Sequence, residues 1–186
     1  MAAPIVPIYQ VFPEEPMRHV YRVVAAAALF LILTSLEPVA GQELTAAEEA
    51  LIKAETQRHV ERYYNYYYER NPEALSTEIF TLPWISMGGN GVRITTTQEE
   101  NLASFESAIE GLLERDWNRS IFTTKHVCVL TAGSAIVSGT NTRTRVDGSI
   151  MSVGGVSYIL GKADDAWRIT SFSSHSPGKV VRCDVE

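Results

Sequence analysis

The residues of this chain with chemistry to offer are four histidines, eight tyrosines and two cysteines. His59 shares one face of a helical wheel with Ile52, Thr56, Val60, Tyr63, Tyr66 and Tyr67, opposite Lys53, Gln57, Glu61, Arg62 and Asn65. One turn from Tyr63, it suits a general acid or base oriented by a phenol hydroxyl. The competing reading is a core histidine satisfied by a neighbour. His126 alternates with Phe122, Thr124, Cys128 and Leu130 on one strand face. The opposite set (Ile121, Val127, Val129) is also apolar, so periodicity does not say which face looks inward. His175 closes the last strand pattern and reads as a rim or surface residue. His59 and His126 are therefore the candidate catalytic residues. Tyr63, Tyr67, Trp84, Phe105, Tyr158 and Trp167 are the candidate lining of a flat-ligand pocket, although aromatic residues more often simply fill cores.

Other chemistries find little support. No His-x-x-x-His or His-x-His spacing occurs and no carboxylate adjoins the histidines, so neither metal nor cofactor is expected. Ser171-Phe172-Ser173-Ser174-His175 lacks a nucleophile elbow, which argues against a Ser–His–Asp triad. Gly88-Gly89-Asn90-Gly91 lacks the Gly-Lys-Ser/Thr ending of a phosphate loop. Cys128 and Cys183 are too far apart for a zinc knuckle. They either join and tie the tail to the sheet, or stay as one buried and one exposed thiol.

With 186 residues, 45% hydrophobic, the chain has room for one domain and a leader. A net charge of −6 without a Lys/Arg cluster disfavours nucleic acid as a partner. The apolar run VVAAAALFLILTSL (Val23–Leu36) follows Arg18 and Arg22 and precedes Val39-Ala40-Gly41. It is shorter than the roughly 20 residues that span a bilayer. Together these features describe a signal peptide cleaved after Gly41, with Met17 an alternative start. The expected organisation is leader 1–41, domain 42–176 and tail 177–186. The domain would be secreted or periplasmic; an uncleaved signal anchor is the alternative, and the sole route to a membrane.

The mature chain opens on a capping box, Thr45-Ala46-Ala47-Glu48, and a helix running to about Glu69. Asn71-Pro72 caps a short second helix reaching about Phe80. A hairpin follows from Leu82–Met87 and Val92–Thr95. Leu102, Phe105, Ile109, Leu112 and Leu113 mark a third helix up to Trp117. Four strands come next, near Ile121–Thr131, Ala135–Val146, Ser149–Leu160 and Ala166–Ser174. Asp147-Gly148 predicts a type I′ turn between the middle two. Gly139, Gly154 and Gly155 are candidate kink or bulge points. The fold class is α+β, with helices covering a curved antiparallel meander.

This order resembles the nuclear transport factor 2-like superfamily, and within it the SnoaL-like branch. The landmarks are the long first helix, Asn71-Pro72-Glu73-Ala74-Leu75, the hairpin with Pro83 and Gly91, Asp147-Gly148, and Trp167-Arg168-Ile169-Thr170. The resemblance covers about residues 45–175. It implies a cone-shaped antiparallel sheet, a cystatin-like α+β roll, covered by about three N-terminal helices around a mostly apolar pocket. It also implies a family that mixes enzymes with non-enzymatic binding modules. Many of the enzymes place an Asp near the end of the first helix; Tyr68 stands there in this chain. Ketosteroid isomerases place an Asp before the proline of the first strand, and here that residue is Leu82. These departures leave three expectations. The first is an exported domain binding a small, largely apolar ligand. The second is an isomerase, dehydratase or cyclase using a His/Tyr pair. The third is a homodimeric interaction module pairing through its open sheet face, around Thr140–Arg145.

Overall fold

Thr45 sets the start of the first helix: its hydroxyl accepts the Glu48 N–H at 3.3 Å, while its own N–H donates to Glu48 Oε2 at 2.8 Å. Both halves of the capping box are thus formed, satisfying donors that the first helical turn leaves free. The computed structural model describes residues 43–183, so the expected leader and cleavage site lie outside the described residues. Helix α1 (Ala46–Tyr68) ends as Arg70 turns to φ 56°. Asn71 then caps α2 (Pro72–Ala74), its Oδ1 accepting the Ala74 N–H at 3.0 Å. This helix loosens into a π-helical turn, Leu75–Ile79, which delivers the chain to the sheet.

Six strands follow: β1 (Phe80–Gly88), β2 (Gly91–Thr95), β3 (Trp117–Thr131), β4 (Ser134–Arg145), β5 (Ile150–Ala163) and β6 (Ala166–His175). Helix α3 (Gln98–Leu113) lies between β2 and β3, and Thr97 caps it by accepting the Glu100 N–H. The sheet order is β2-β1-β6-β5-β4-β3. The four-strand meander is antiparallel throughout. The expected wholly antiparallel sheet needs one correction, because β1 runs parallel to β6. The meander fixes the direction of β6, and the β1–β2 hairpin enters along its free edge running the same way. The result is a curved, unclosed mixed sheet with α1 and α3 against its concave face.

Two turns differ from expectation. Between β4 and β5 only Gly148 takes positive φ (84°), while Asp147 Oδ1 accepts the Ser149 N–H at 2.9 Å. The type I′ geometry instead sits between β5 and β6, where Asp164 and Asp165 adopt φ 50° and 60°. Trp117, expected at the end of a helix, begins β3.

The core lies between α1, α3 and the concave face, around Val60, Leu75, Ile79, Leu160 and Ile169, each fully buried. A polar bridge also crosses it. Trp84 Nε1–H donates to Asn101 Oδ1 at 2.9 Å, and Asn101 Nδ2 donates to the Ser76 carbonyl at 2.8 Å. Asn101 has no exposed surface, and both ends of its amide are satisfied, as burial requires. The bridge pins α3 to β1 and to the π-helical turn.

The convex face carries the C-terminal tail. Cys128 and Cys183 form a disulfide, with Cα atoms 5.7 Å apart. Beside it runs a directed chain of hydrogen bonds. The Ser176 carbonyl can only accept, so His175 Nδ1–H donates to it at 2.9 Å. Nε2 therefore accepts from the Ser157 hydroxyl at 2.9 Å, Ser157 accepts from Ser138 at 2.7 Å, and Ser138 accepts the Val181 N–H at 3.0 Å.

Candidate functional site

The inward phase of β4 is set by Ala135 and Val137, both fully buried, and continues through Gly139 to Asn141 and Arg143. β3 contributes Ser120 and Phe122 opposite them, and β5 contributes Val156 and Tyr158. Helix α1 lays Tyr63, Tyr64 and Tyr67 across this wall. Tyr64 stacks on Phe122 at 5.2 Å between ring centres, and its hydroxyl lies 2.7 Å from that of Tyr158. Leu112 of α3, with Phe172 and Ser174 of β6, completes a cavity of about 280 Å³. That is near the small end of ligand pockets, enough for a ligand of one or two rings.

Burial pushes the Tyr63, Tyr64, Tyr67 and Tyr158 phenols above their ordinary range. They stay protonated near neutrality, able to donate hydrogen bonds but not to act as bases. Among the described residues Arg143 is the one charged group in the lining, and its positive charge bears on Tyr63, Tyr64 and Tyr67. Two buried polar atoms here, Asn141 Oδ1 and Arg143 Nε, have no protein partner among the described residues.

The sequence-predicted residues separate into four places. Tyr63, Tyr67 and Tyr158 line the cavity. Trp84 and Phe105 are buried, stack on each other and are absent from the cavity lining, so they are core. Trp167 lies at a second groove, donating to Glu55 Oε2 at 2.9 Å with the Lys162 ammonium over its ring. His59 belongs to that groove too, its Nε2 3.0 Å from the Ile79 carbonyl, to which it donates. His126 faces outward, on the same side of the sheet as Cys128 and Ser138. The two histidines do not meet, and neither lines the tyrosine cavity. Tyr68, at the position where the resemblance implies a carboxylate, is 55% exposed under the Arg119 guanidinium.

His59 is instead a buried neutral imidazole. Burial chiefly lowers its pKa, the Ile79 hydrogen bond opposes this, and Arg62 and Arg168 lower it further. Unfolding restores an ordinary value near 6.5, so below that pH the unfolded chain binds the extra proton first. Stability is expected to be complete above this pH and to fall as pH drops below it, by at most about 1.4 kcal/mol per pH unit. Urea titrations of the parent and His59→Gln between pH 7 and 5 check this. An equally steep loss in the variant would assign the dependence elsewhere.

Sequence reasoning missed Tyr64, Ser120, Asn141, Arg143 and Ser174. For Asn141 and Arg143 a signal existed, because they keep the alternation of Ala135 and Val137. Tyr64 sits one wheel position beyond the apolar face; β3 wraps past α1 and covers it.

The sequence profile of a family described as NTF2-like protein (DUF6841) matches residues 54–177. No curated protein matches the chain significantly. Among solved structures, an NTF2-like protein of unknown function from Shewanella oneidensis superposes with a TM-score of 0.53 at 18% identity, covering 66% of this chain and 97% of its own. A cystatin-like domain of unknown function from Nostoc punctiforme gives 0.55 at 15% identity, covering 71% and 78%. Aln2 from a Streptomyces species gives 0.57 at 15% identity, covering 72% and 94%. At these identities the likeness concerns the fold.

Proposed function

We propose that this chain, which belongs to the NTF2-like family DUF6841, binds a small ring-bearing ligand in the cavity between α1 and the concave face of its sheet. The observation that carries this reading is the cavity's lining: four tyrosines and a phenylalanine, with no carboxylate and no imidazole among the described residues. Aromatic walls suit a flat ligand, and protonated phenols suit its acceptors. General acid–base catalysis needs a group that exchanges a proton near neutrality, and these walls offer none. Binding is therefore favoured over isomerase, dehydratase or cyclase chemistry.

The proposed setting is outside the cytoplasm. The Cys128–Cys183 disulfide supports that placement, since such bridges persist in oxidising compartments, and it agrees with the leader pattern. The experiment is a thermal-shift screen with phenols, indoles and their acids, run on the parent and on Ser174→Trp, which fills the cavity from its mouth. Compounds that raise the parent's melting temperature should lose at least most of that effect in the variant. Hits that stabilise both proteins equally would place binding outside the cone and end the proposal.

A further inference from the structure

Arg143 and Asn141 stand two residues apart on one strand, so both side chains project from the same face of the concave wall. Arg143 Nε is buried without a protein partner, and among the described residues no carboxylate lies within ion-pair distance of its guanidinium. Asn141 Oδ1, also buried, has no donor. A buried donor or acceptor is costly to leave unmatched, although Arg143 is only half-buried and its terminal nitrogens reach the cavity opening. The groove beside Trp167 offers a contrast. It gathers Arg58, Arg62, Lys162 and Arg168, but Glu55 and Asp165 line it with them. In the cone the positive charge stands alone among tyrosine rings.

We infer that the cone recognises a small aromatic carboxylate that also carries a hydroxyl or amine. The carboxylate accepts from the Arg143 guanidinium, whose fork geometry matches two carboxylate oxygens. The ligand's hydroxyl or amine donates to Asn141 Oδ1. The ring lies against Tyr63, Tyr64 and Tyr158. A purely apolar ligand would bury the guanidinium more deeply and pair nothing with it, so the wall selects against that class. This inference rests on the cone being a ligand site, and it narrows the ligand's chemistry.

Calorimetric titrations with 4-hydroxybenzoate and its uncharged methyl ester separate the two claims. The parent should bind the acid at least about tenfold more tightly than the ester, the margin expected for one charge-assisted hydrogen bond. Arg143→Met should erase that margin by weakening the acid and relieving the penalty on the ester, because only the anion pairs with the guanidinium. Arg143→Lys should retain part of the margin, since it keeps the charge and loses the fork. Asn141→Leu should weaken 4-hydroxybenzoate more than it weakens benzoate, which has no hydroxyl to donate. Equal binding of acid and ester, or an undiminished preference in Arg143→Met, overturns the anion assignment and leaves the cone as a neutral-ligand site. Absence of binding by both compounds, together with no hit in the thermal-shift screen, overturns the cone as a ligand site altogether.

Discussion

Replacing Cys183 with serine should lower the free energy of unfolding by about 4 kcal/mol, the chain-entropy value for a bridge closing a loop of 55 residues. That loop spans β4, β5 and β6, so the unbridged chain regains the freedom of three long strands when it unfolds. The folded side loses little by comparison. Cys128 is 2% exposed and remains a small apolar group in its place on β3. Urea unfolding of the parent with and without reductant makes the comparison, with Cys183→Ser as the control that reductant should not shift. An unchanged parent midpoint under reducing conditions would show that the bridge contributes nothing.

Gly139→Ala should cost roughly 3 kcal/mol or more, at the upper end of overpacking effects. A Cβ at this position would run into the Thr123 carbonyl oxygen and come within 2.8 Å of the Phe122 ring. The first of these is backbone in the neighbouring strand and cannot swing aside. The second is the ring on which Tyr64 stacks, so strain would pass directly into the tyrosine wall. Gly154→Ala is the matching control, because a Cβ there meets nothing within 4 Å. Circular dichroism melts of the two variants test the contrast, and equal melting temperatures would refute it.

Gly139 also shows how far the sequence could be read. Its role as a kink point was legible, because a glycine inside a strand pattern marks a bulge or a close approach. The bulge itself lies in the partner strand. Thr124 pairs with Gly139 and His126 with Ser138, leaving Lys125 as an extra residue in β3. One extra residue reverses the phase of everything beyond it. Phe122 and Thr124 therefore share the inner side with Val127 and Val129, while His126 and Cys128 turn to the convex face. A strict two-residue alternation puts all of Phe122, Thr124, His126 and Cys128 on one side and leaves open which side that is, whereas the bulge splits the set between the two faces.

The helix caps, the meander and its hairpin partner were legible for the opposite reason: each depends on neighbours in sequence. Thr45 with Glu48 and Asn71 with Ala74 behave as their local patterns require. The parallel seam between β1 and β6 depends on residues about 90 apart, on the order of the whole domain, and no local pattern encodes it. The tyrosines of α1 were visible as a buried aromatic end. Which of them line a cavity and which fill a core depends on how tightly the curved sheet closes around the helix. Trp84 and Phe105 pack on each other away from the cavity, and Tyr63 and Tyr158 line it.

The hydrogen-bond chain on the convex face couples three quantities that look independent. Every link from Val181 to Ser176 points the same way, because a backbone N–H begins it and a carbonyl ends it. The ring tautomer of His175, the direction of both serine hydroxyls and the contact with the Ser176 carbonyl are therefore one variable. Exchanging the hydrogen between the two ring nitrogens would reverse both hydroxyls, leave Ser138 Oγ still accepting the Val181 N–H, and set the bare Nδ1 against the Ser176 carbonyl. The Ser176 end of the tail is held by the sense in which the chain runs, as a zip is held by the direction of its teeth.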